Sequence, residues 1–278
     1  MNKTKLSIII PTWNTAKITL DCVKTIKKYL GNFPQIVIVD NASTDNTINL
    51  LKKLERSEIL SNRRKNIKLE IIKNVQNFGF AKACNIGAKE AVGDYLLFLN
   101  SDIKLVDNSL LSMLKFFSQN PQIGVIGPQF LNPDHSIQSS VFPPQTIKNA
   151  IKEFWLGQKT YSKFTPTSKT PISVWAISGG ALLIKKELFK KINGWNEKYF
   201  MYFEDLELCR QIHHQQKQVF YYPFAKLIHH HGASGHKLID NNKQWQRLIP
   251  GSKIYHGSIK HYLLFLIIYL SQKCKKLF

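Results

Sequence analysis

Acidic residues are few in this chain: 18 Asp and Glu stand against 39 Lys and Arg, a formal net charge of +21 over 278 residues. An excess of that size favours contact with polyanions, whether nucleic acid, anionic lipid headgroups or phosphorylated substrates, and does not choose among them. Cysteine is equally sparse. Cys22, Cys84, Cys209 and Cys274 are scattered with no CxxC spacing, which leaves no basis for a zinc site or a disulfide framework and fits a reducing cytosolic compartment. No apolar signal segment precedes the strand-like run at Leu6, so export is not expected. No run reaches the roughly 20 apolar residues that span a bilayer, since Tyr262 to Leu270 stops well short. No internal repeat is evident. With 44% hydrophobic residues, the chain is still able to bury a full core.

What is present begins with short β-branched runs. Leu6 to Ile10 ends at Pro11 and Gln35 to Val39 ends at Asp40, both of the kind buried in parallel sheets. Between them Thr15 to Leu30 has helical spacing at Ile18, Cys22, Ile26 and Tyr29. A second helix is expected after Ser43-Thr44-Asp45, a strand at Lys68 to Ile72, a small-residue helix at Phe80 to Val92 and a strand at Tyr95 to Leu99. This alternation predicts an α/β fold with an open, doubly wound sheet. Further on, the pattern predicts a helix over Asn108 to Ser118, a strand at Ile123 to Ile126 and a short amphipathic helix over Thr146 to Leu156. The rest of Leu131 to Pro171, Tyr161 to Ser168 above all, reads as a mobile loop.

Ligands of such sheets bind outside the carboxyl ends of the strands, and here those ends carry Thr12, Asn14, Asp40, Asn41, Asn100 and Asp102. Asp and Asn also serve as turn and cap residues at such places. Asn100-Ser101-Asp102 suits a divalent cation through the Asp102 carboxylate, with Asn100 giving at most a neutral carbonyl or an outer-shell hydrogen bond. His229-His230-His231 offers imidazoles that could complete a metal site or contact a diphosphate. At Gly179-Gly180 the absent side chains suit either close approach of a ligand or a bulge. Glu204 and Asp205 stand side by side behind Tyr199, Phe200, Tyr202 and Phe203. They fit a carboxylate pair in an aromatic pocket, one of them able to take a proton from a hydroxyl, and equally the acidic first turn of a helix.

Taken together these segments strongly resemble the family 2 glycosyltransferases, inverting enzymes of the GT-A fold, in particular the rhamnosyltransferase-like branch. The matching pieces are Ser7 to Asn14, Val39 to Asp45, Asn77 to Gly87, Leu99 to Asp102, Ser178 to Ala181, Gly194 to Cys209 and His229 to Ser234. The resemblance implies a GT-A nucleotide-diphospho-sugar transferase fold over residues 1–235, an open, mostly parallel twisted sheet flanked by helices. Its nucleotide-binding half would cover about 1–105 and its acceptor-binding half about 106–235, with a C-terminal helical extension over 236–278. It further implies that Pro11, Thr12, Asn14, Asp40, Asn41, Gly79, Asn85 and Ser101 serve the nucleotide and diphosphate. Asp102 and His229 would hold a divalent cation, Mn²⁺ or Mg²⁺. His231 stands where the family usually has glycine. Asp205 corresponds to the family's general base, Glu204 to an acceptor-orienting carboxylate, and Gly179, Gly180 and Trp195 border the acceptor. The helix dipole should lower the Asp205 pKa, and Glu204 and the donor diphosphate should raise it.

The implied function is transfer of a sugar from a nucleoside diphosphate, dTDP-rhamnose or a UDP-sugar, to a saccharide or polyprenyl-diphosphate-linked saccharide in cell-surface polysaccharide synthesis. The apolar Tyr262 to Leu270, flanked by Lys260, His261, Lys273, Lys275 and Lys276, suits an anionic membrane surface as well as it suits a packed terminal helix. A cytoplasmic location, peripheral on the inner face of the cell membrane, follows from the former. Gln244-Trp245-Gln246-Arg247-Leu248 is close to the Gln-x-x-Arg-Trp signature of processive synthases but lacks its final Trp. Two other readings predict different behaviour. A nucleic-acid-binding protein would use the +21 charge and ignore loss of Asp102, but no recognised binding motif supports it. A catalytically silent scaffold would bind nucleotide-sugar without turning it over.

Overall fold

A computed structural model of the protein describes residues 5–31, 34–61, 69–230 and 246–275, with side chains omitted at 57–61. His231, the small-residue turn at 232–234 and Gln244-Trp245 lie outside the described residues. The N-terminal part runs β1 (Leu6–Thr12), α1 (Ala16–Leu30), β2 (Gln35–Asp40), α2 (Thr47–Ser61), β3 (Leu69–Lys73), α3 (Phe80–Glu90) and β4 (Tyr95–Leu99). After the Asn100–Asp102 turn come β5 (Ile103–Leu105), α4 (Ser109–Gln119), β6 (Ile123–Leu131), β7 (Ile137–Gln138), β8 (Val141–Phe142) and α5 (Ile147–Phe154). The chain continues with β9 (Ile172–Val174), β10 (Ala176–Ile177), β11 (Ala181–Lys185), α6 (Lys186–Lys191), α7 (Glu204–His214) and β12 (Gln218–His229). It closes with α8 (Leu248–His256) and α9 (Ser258–Cys274).

The main sheet has the order β3-β2-β1-β4-β11-β6-β12-β5. β3, β2, β1 and β4 are parallel, whereas β11 runs antiparallel to both β4 and β6. Both faces are covered, which is why the strands read as unbroken apolar runs. Ile8 and Ile10 join α1 and α4 residues such as Cys22, Ile26 and Phe117 in one core, while Ile9 points the other way toward Ala81 and Cys84 of α3. On that second face Leu206, Cys209 and Ile212 seat α7 beneath the C-terminal half of the sheet.

Two connections position the site. β5 was not legible in the sequence, being three residues long; it pairs antiparallel with the end of β12, His229 opposite Ile103. That pairing brings the end of a strand about 130 residues downstream against the Asn100–Asp102 turn, and the His230 N–H donates to the Asp102 carbonyl at 3.0 Å. The segment expected to be a mobile loop is instead tied down. The Glu153 carboxylate accepts the N–H groups of Thr160, Tyr161 and Ser162 at 2.8, 2.6 and 3.0 Å, and Phe164 exchanges two backbone hydrogen bonds with Val141. A carboxylate accepting several N–H donors is a strong, charge-assisted anchor.

Candidate functional site

The carboxyl end of β1 is a knot of hydroxyls. Thr12 Oγ1 lies 2.8 Å from Thr15 Oγ1 and 2.7 Å from Thr19 Oγ1, and Thr15 Oγ1 reaches Ser101 Oγ at 3.3 Å. Thr12 and Ser101 are both buried, so they join β1 to the Asn100–Asp102 turn rather than present open donors. Pro11 is the penultimate residue of β1, paired with Val39. Asn14 sits at φ 52 and clamps the facing loop: its Oδ1 accepts from Thr44 N at 2.8 Å and Asp45 N at 3.3 Å, and its own N–H donates to Ser43 Oγ.

Asn41 and Asn85 were expected at the nucleotide, and the structure occupies their side chains elsewhere. Asn41 donates to the Gly79 carbonyl and accepts from Asn74. Asn85 closes a pair with the Trp195 backbone, accepting its N–H at 2.9 Å and donating to its carbonyl at 2.8 Å, and also donates to Glu197. Both residues hold walls of the cleft, since an amide with its donors and acceptor engaged has little left for a ligand. Gly79, at φ 81, lies against the Phe200 carbonyl, where any Cβ would collide; the Phe80 N–H donates to that carbonyl at 2.9 Å.

Two buried carboxylates stand apart from this self-contained bonding. Asp40 accepts from Ser43 N on Oδ2, but its Oδ1 accepts nothing among the described residues, and Asp102 Oδ1 is in the same state. Buried acceptors are rarely left so in folded proteins, and each such oxygen points to a ligand or ion. His229 Nε2 stands 3.4 Å from Asp102 Oδ1, both residues 4% exposed. The other ring nitrogen, Nδ1, lies 2.7 Å from Gln138 Oε1. Gln138 is itself oriented, because its amide nitrogen donates to Asn132 Oδ1 at 2.8 Å and to the His229 carbonyl at 3.2 Å. Its oxygen must therefore be the acceptor, which puts an imidazole proton on Nδ1 and turns Nε2 toward Asp102.

This pair fits a hard divalent cation that draws its remaining ligands from a diphosphate and water. Among the described residues no group of three or more His, Cys, Asp and Glu gathers as a full cage, and Asp102 and His229 are the two donors set side by side there. Gln138 was missed in the sequence; it lies on a two-residue strand whose only signal was proximity to a turn.

A short stretch of backbone links this corner to the acidic pair. The Asn100 N–H donates to the Gly180 carbonyl at 2.8 Å, and the Gly179 N–H donates to Asp205 Oδ2 at 3.1 Å. A Cβ on Gly179 would stand 3.3 Å from the Asp205 Cβ, so glycine permits this approach. Trp195, expected at the acceptor edge, is instead 1% exposed. Its indole is wedged edge-on between Phe80 and Phe98, at 5.3 and 5.2 Å, beneath the Gly179 backbone. A flat apolar ring finds more contact area under the floor than at the rim.

Glu204 and Asp205 open α7, and the two residues before them are Tyr202 at φ 70 and Phe203 at φ 69. Left-handed backbone at two successive bulky residues is strained, and such strain collects where function holds it in place. Glu204 is buried and Asp205 half-buried, and removal from water is the first cause of their raised pKa values. Glu204 is pushed up to about 8, with the Asp205 charge adding to the effect. Asp205 is raised as well, with the Lys163 ammonium and the N–H groups of Gly179 and Leu206 opposing the shift by favouring its ionised form. Lys163 comes from the segment anchored by Glu153; its Nζ lies 3.4 Å from Ser178 Oγ and 4.8 Å above the Phe142 ring. The two acids titrate as a pair, with burial holding the proton more firmly and Lys163 with the two N–H groups favouring charge on Asp205.

The sequence pattern described as glycosyl transferase family 2 matches residues 7–192, more than half of the chain. One described as the N-terminal domain of galactosyltransferase matches 159–234. The N-acetylglucosaminyl-diphospho-decaprenol L-rhamnosyltransferase of Mycobacterium tuberculosis is 26% identical over 249 aligned positions, covering 76% of each chain. An uncharacterized protein y4gI of Sinorhizobium fredii is 25% identical over 84% of this chain, and the O-antigen biosynthesis protein RfbC of Myxococcus xanthus is 30% identical over 56% of it. The chain spans 25% and 12% of the lengths of those last two. Among solved structures, the mannosyltransferase PcManGT of Pyrobaculum calidifontis in complex with GDP-Man and Mn²⁺ is similar over 97% of this chain and 70% of its own, with TM-score 0.62 and 17% identity. GalNAc-T7 with UDP, GalNAc and Mn²⁺ is similar over 82% of this chain and 44% of its own, with TM-score 0.61 and 18% identity. At these identities the structures speak for the fold, which is GT-A. The chain belongs to glycosyl transferase family 2.

Proposed function

We propose that this glycosyltransferase moves a sugar, with inversion, from a nucleoside-diphosphate donor to a hydroxyl of a saccharide or lipid-linked saccharide in cell-surface polysaccharide synthesis. The observation that carries the reading is the pairing of two unlike sites joined by Gly179–Gly180. One presents buried carboxylate oxygens at Asp40 and Asp102, with His229 beside the latter; the other presents two adjacent carboxylates, the first of them pushed up in pKa by burial.

In this reading residues of about 1–105 bind the donor and those of about 106–235 the acceptor. Asp40 Oδ1 accepts a hydrogen bond from the base or ribose, which would satisfy its empty valence. Asp102 and His229 would hold a divalent cation, Mn²⁺ or Mg²⁺, which when bound neutralises charge building on the leaving diphosphate. Asp205 takes the proton from the acceptor hydroxyl. That oxygen forms a bond to the anomeric carbon on the face opposite the diphosphate, and the carbon–oxygen bond to the diphosphate breaks with its electron pair leaving on the phosphate oxygen. A single displacement inverts the anomeric configuration. Glu204, protonated, can donate to a second acceptor oxygen and fix its orientation. Lys163 favours the ionised form of Asp205.

The relative from M. tuberculosis, an N-acetylglucosaminyl-diphospho-decaprenol L-rhamnosyltransferase, supports a rhamnosyl donor and a polyprenyl-diphosphate-linked acceptor. The poly-beta-1,6-N-acetyl-D-glucosamine synthase of Staphylococcus epidermidis, 24% identical over 79% of this chain, supports a polysaccharide setting. The test is to incubate the protein and Mn²⁺ with dTDP-rhamnose, UDP-sugars and GDP-mannose, with and without a polyprenyl-diphospho-N-acetylglucosamine analogue. Acceptor-dependent release of one nucleoside diphosphate, with an inverted anomeric centre by proton NMR, supports the reading. A retained configuration, or no release from any pair by a protein that binds nucleotide, overturns it.

A further inference from the structure

We infer that the outer face formed by α9 and the end of α5 docks on an anionic lipid bilayer, an inference that rests on the lipid-linked acceptor proposed above. The first observation is an inverted helix. α9 buries His261, Leu264 and Ser271 and leaves Ile259, Tyr262, Leu263, Leu266 and Leu270 exposed. Those five positions follow i, i+3, i+4, i+7 and i+11, a single stripe at about 100° per residue, where a water-facing helix would carry polar groups. Two polar side chains turn inward while leucines turn outward.

A second element continues the stripe. The Trp155 indole N–H donates to the Ile267 carbonyl of α9 at 3.1 Å, and Trp155 and Leu156 are 47% and 64% exposed. The Lys260 ammonium donates to the Gln145 carbonyl at 3.2 Å, so the face is built from two braced segments.

Charge identifies the occupant. After Asp240 the chain carries no acidic residue, while Lys253, Lys260, Lys273 and Lys275 lie along α8, α9 and their ends. Lys253 donates to the Tyr262 hydroxyl at 2.8 Å, and Lys273 lies 5.7 Å over the Tyr269 ring. Cations paired with tyrosine tips at the edge of an apolar stripe match the headgroup layer, where aromatic and basic residues anchor proteins and each lysine adds attraction to anionic lipid. A second copy of this +21 chain would instead set like charges against each other. Among the described residues no helix is long and apolar enough to cross a membrane, so the face lies on the surface.

The docked face is mechanically close to the catalytic turn. Tyr255 of α8 packs 5.7 Å from Phe203, and its carbonyl accepts from the Arg210 guanidinium of α7 at 3.2 Å. Seating α8 and α9 on the bilayer would therefore bring the Glu204–Asp205 end toward sugars carried at the membrane surface.

The experiment is sedimentation of the full chain with vesicles of phosphatidylglycerol and phosphatidylcholine in equal parts, and with phosphatidylcholine alone. Binding is expected to the mixed vesicles and to be at least tenfold weaker to phosphatidylcholine. The double variant Leu266→Ser/Leu270→Ser should lose at least tenfold in partitioning, and Lys273→Gln/Lys275→Gln about fivefold per lysine, with circular dichroism and nucleotide binding unchanged. Absence of binding by a folded protein overturns the proposal, as does undiminished binding of the leucine variant. So does a dimer in analytical ultracentrifugation that the leucine variant dissolves. Loss of nucleotide selectivity with intact vesicle binding would instead count against the functional reading alone.

Discussion

The donor corner and the acceptor corner of this cleft are built on opposite principles. Around β1 and the Asn100–Asp102 turn, most polar side chains bond to another, and what is left over is a small set of carboxylate oxygens that accept no hydrogen bond among the described residues. At the start of α7 burial pushes the Glu204 pKa up, while Lys163 and two backbone N–H groups favour the ionised form of Asp205. On the proposed function, one corner would receive positive charge and hydrogen-bond donors, and the other would move a proton. Gly179 and Gly180 are the place where the two meet.

Four variants sharpen or break that contrast. The largest effect is expected for Asp205→Asn, which leaves the donor corner untouched: turnover should fall by about 10²–10⁴-fold, as for loss of a general base, with the Kd for nucleoside diphosphate within about twofold of the parent. A matching loss of nucleotide affinity would show the corners are not separate. Glu204→Gln tests the held proton. A carboxyl whose folded pKa is raised from 4.5 to about 8 stabilises the fold fully below its unfolded value, and that contribution declines as pH rises through the folded value. The variant should therefore gain stability relative to the parent between pH 4.5 and 8, by up to about 4 kcal/mol at the top of that window, read as a growing gap in melting temperature. Parallel melting curves across that range would remove the basis for a protonated Glu204.

Gln138→Leu addresses the donor corner through the histidine it orients. Metal affinity in the presence of nucleotide should fall by about 10–100-fold, as for other partners of ligating histidines, and the nitrogen-15 shifts of His229 should lose the single-tautomer pattern with Nδ1 protonated. Unaltered shifts would mean that Gln138 does not set the ring. The smallest effect is expected at Glu153→Gln, which keeps the acceptor oxygen and removes its charge. Weaker bonds to Thr160, Tyr161 and Ser162 should cost about 1 kcal/mol of stability, and amide hydrogen exchange over 160–164 should quicken, with Lys163 loosened in consequence. No change in exchange there would show the segment is held by something other than Glu153.

The buried strands were legible because both faces of the sheet are covered, so β1, β2 and β4 carry unbroken apolar letters. Asp102, His229, Glu204 and Asp205 could be picked out because acids and imidazoles at strand ends and helix starts are chemically conspicuous. Composition misled at Tyr161 to Ser168: a stretch rich in Ser, Thr and Lys reads as loop, and nothing local says that one carboxylate eight residues earlier collects three N–H groups. Lys163 was hidden for the same reason. Asn41, Asn85 and Trp195 matched motif positions, yet the structure spends them on wall contacts, and a side chain's direction is a tertiary property that sequence does not carry. The left-handed pair Tyr202 and Phe203 likewise has no signature in residue type, since neither residue favours that backbone.

The central claim is that Asp102, with His229, forms a cation site serving a donor diphosphate. It is tested most directly by calorimetric titration of UDP, dTDP and GDP into the parent protein and into Asp102→Ala, each with and without Mn²⁺. The account predicts that one diphosphate binds the parent in a Mn²⁺-dependent manner and that the variant loses the Mn²⁺ dependence while remaining folded. Equal binding by parent and variant in Mn²⁺, or failure of every nucleotide to bind the folded parent, would contradict it.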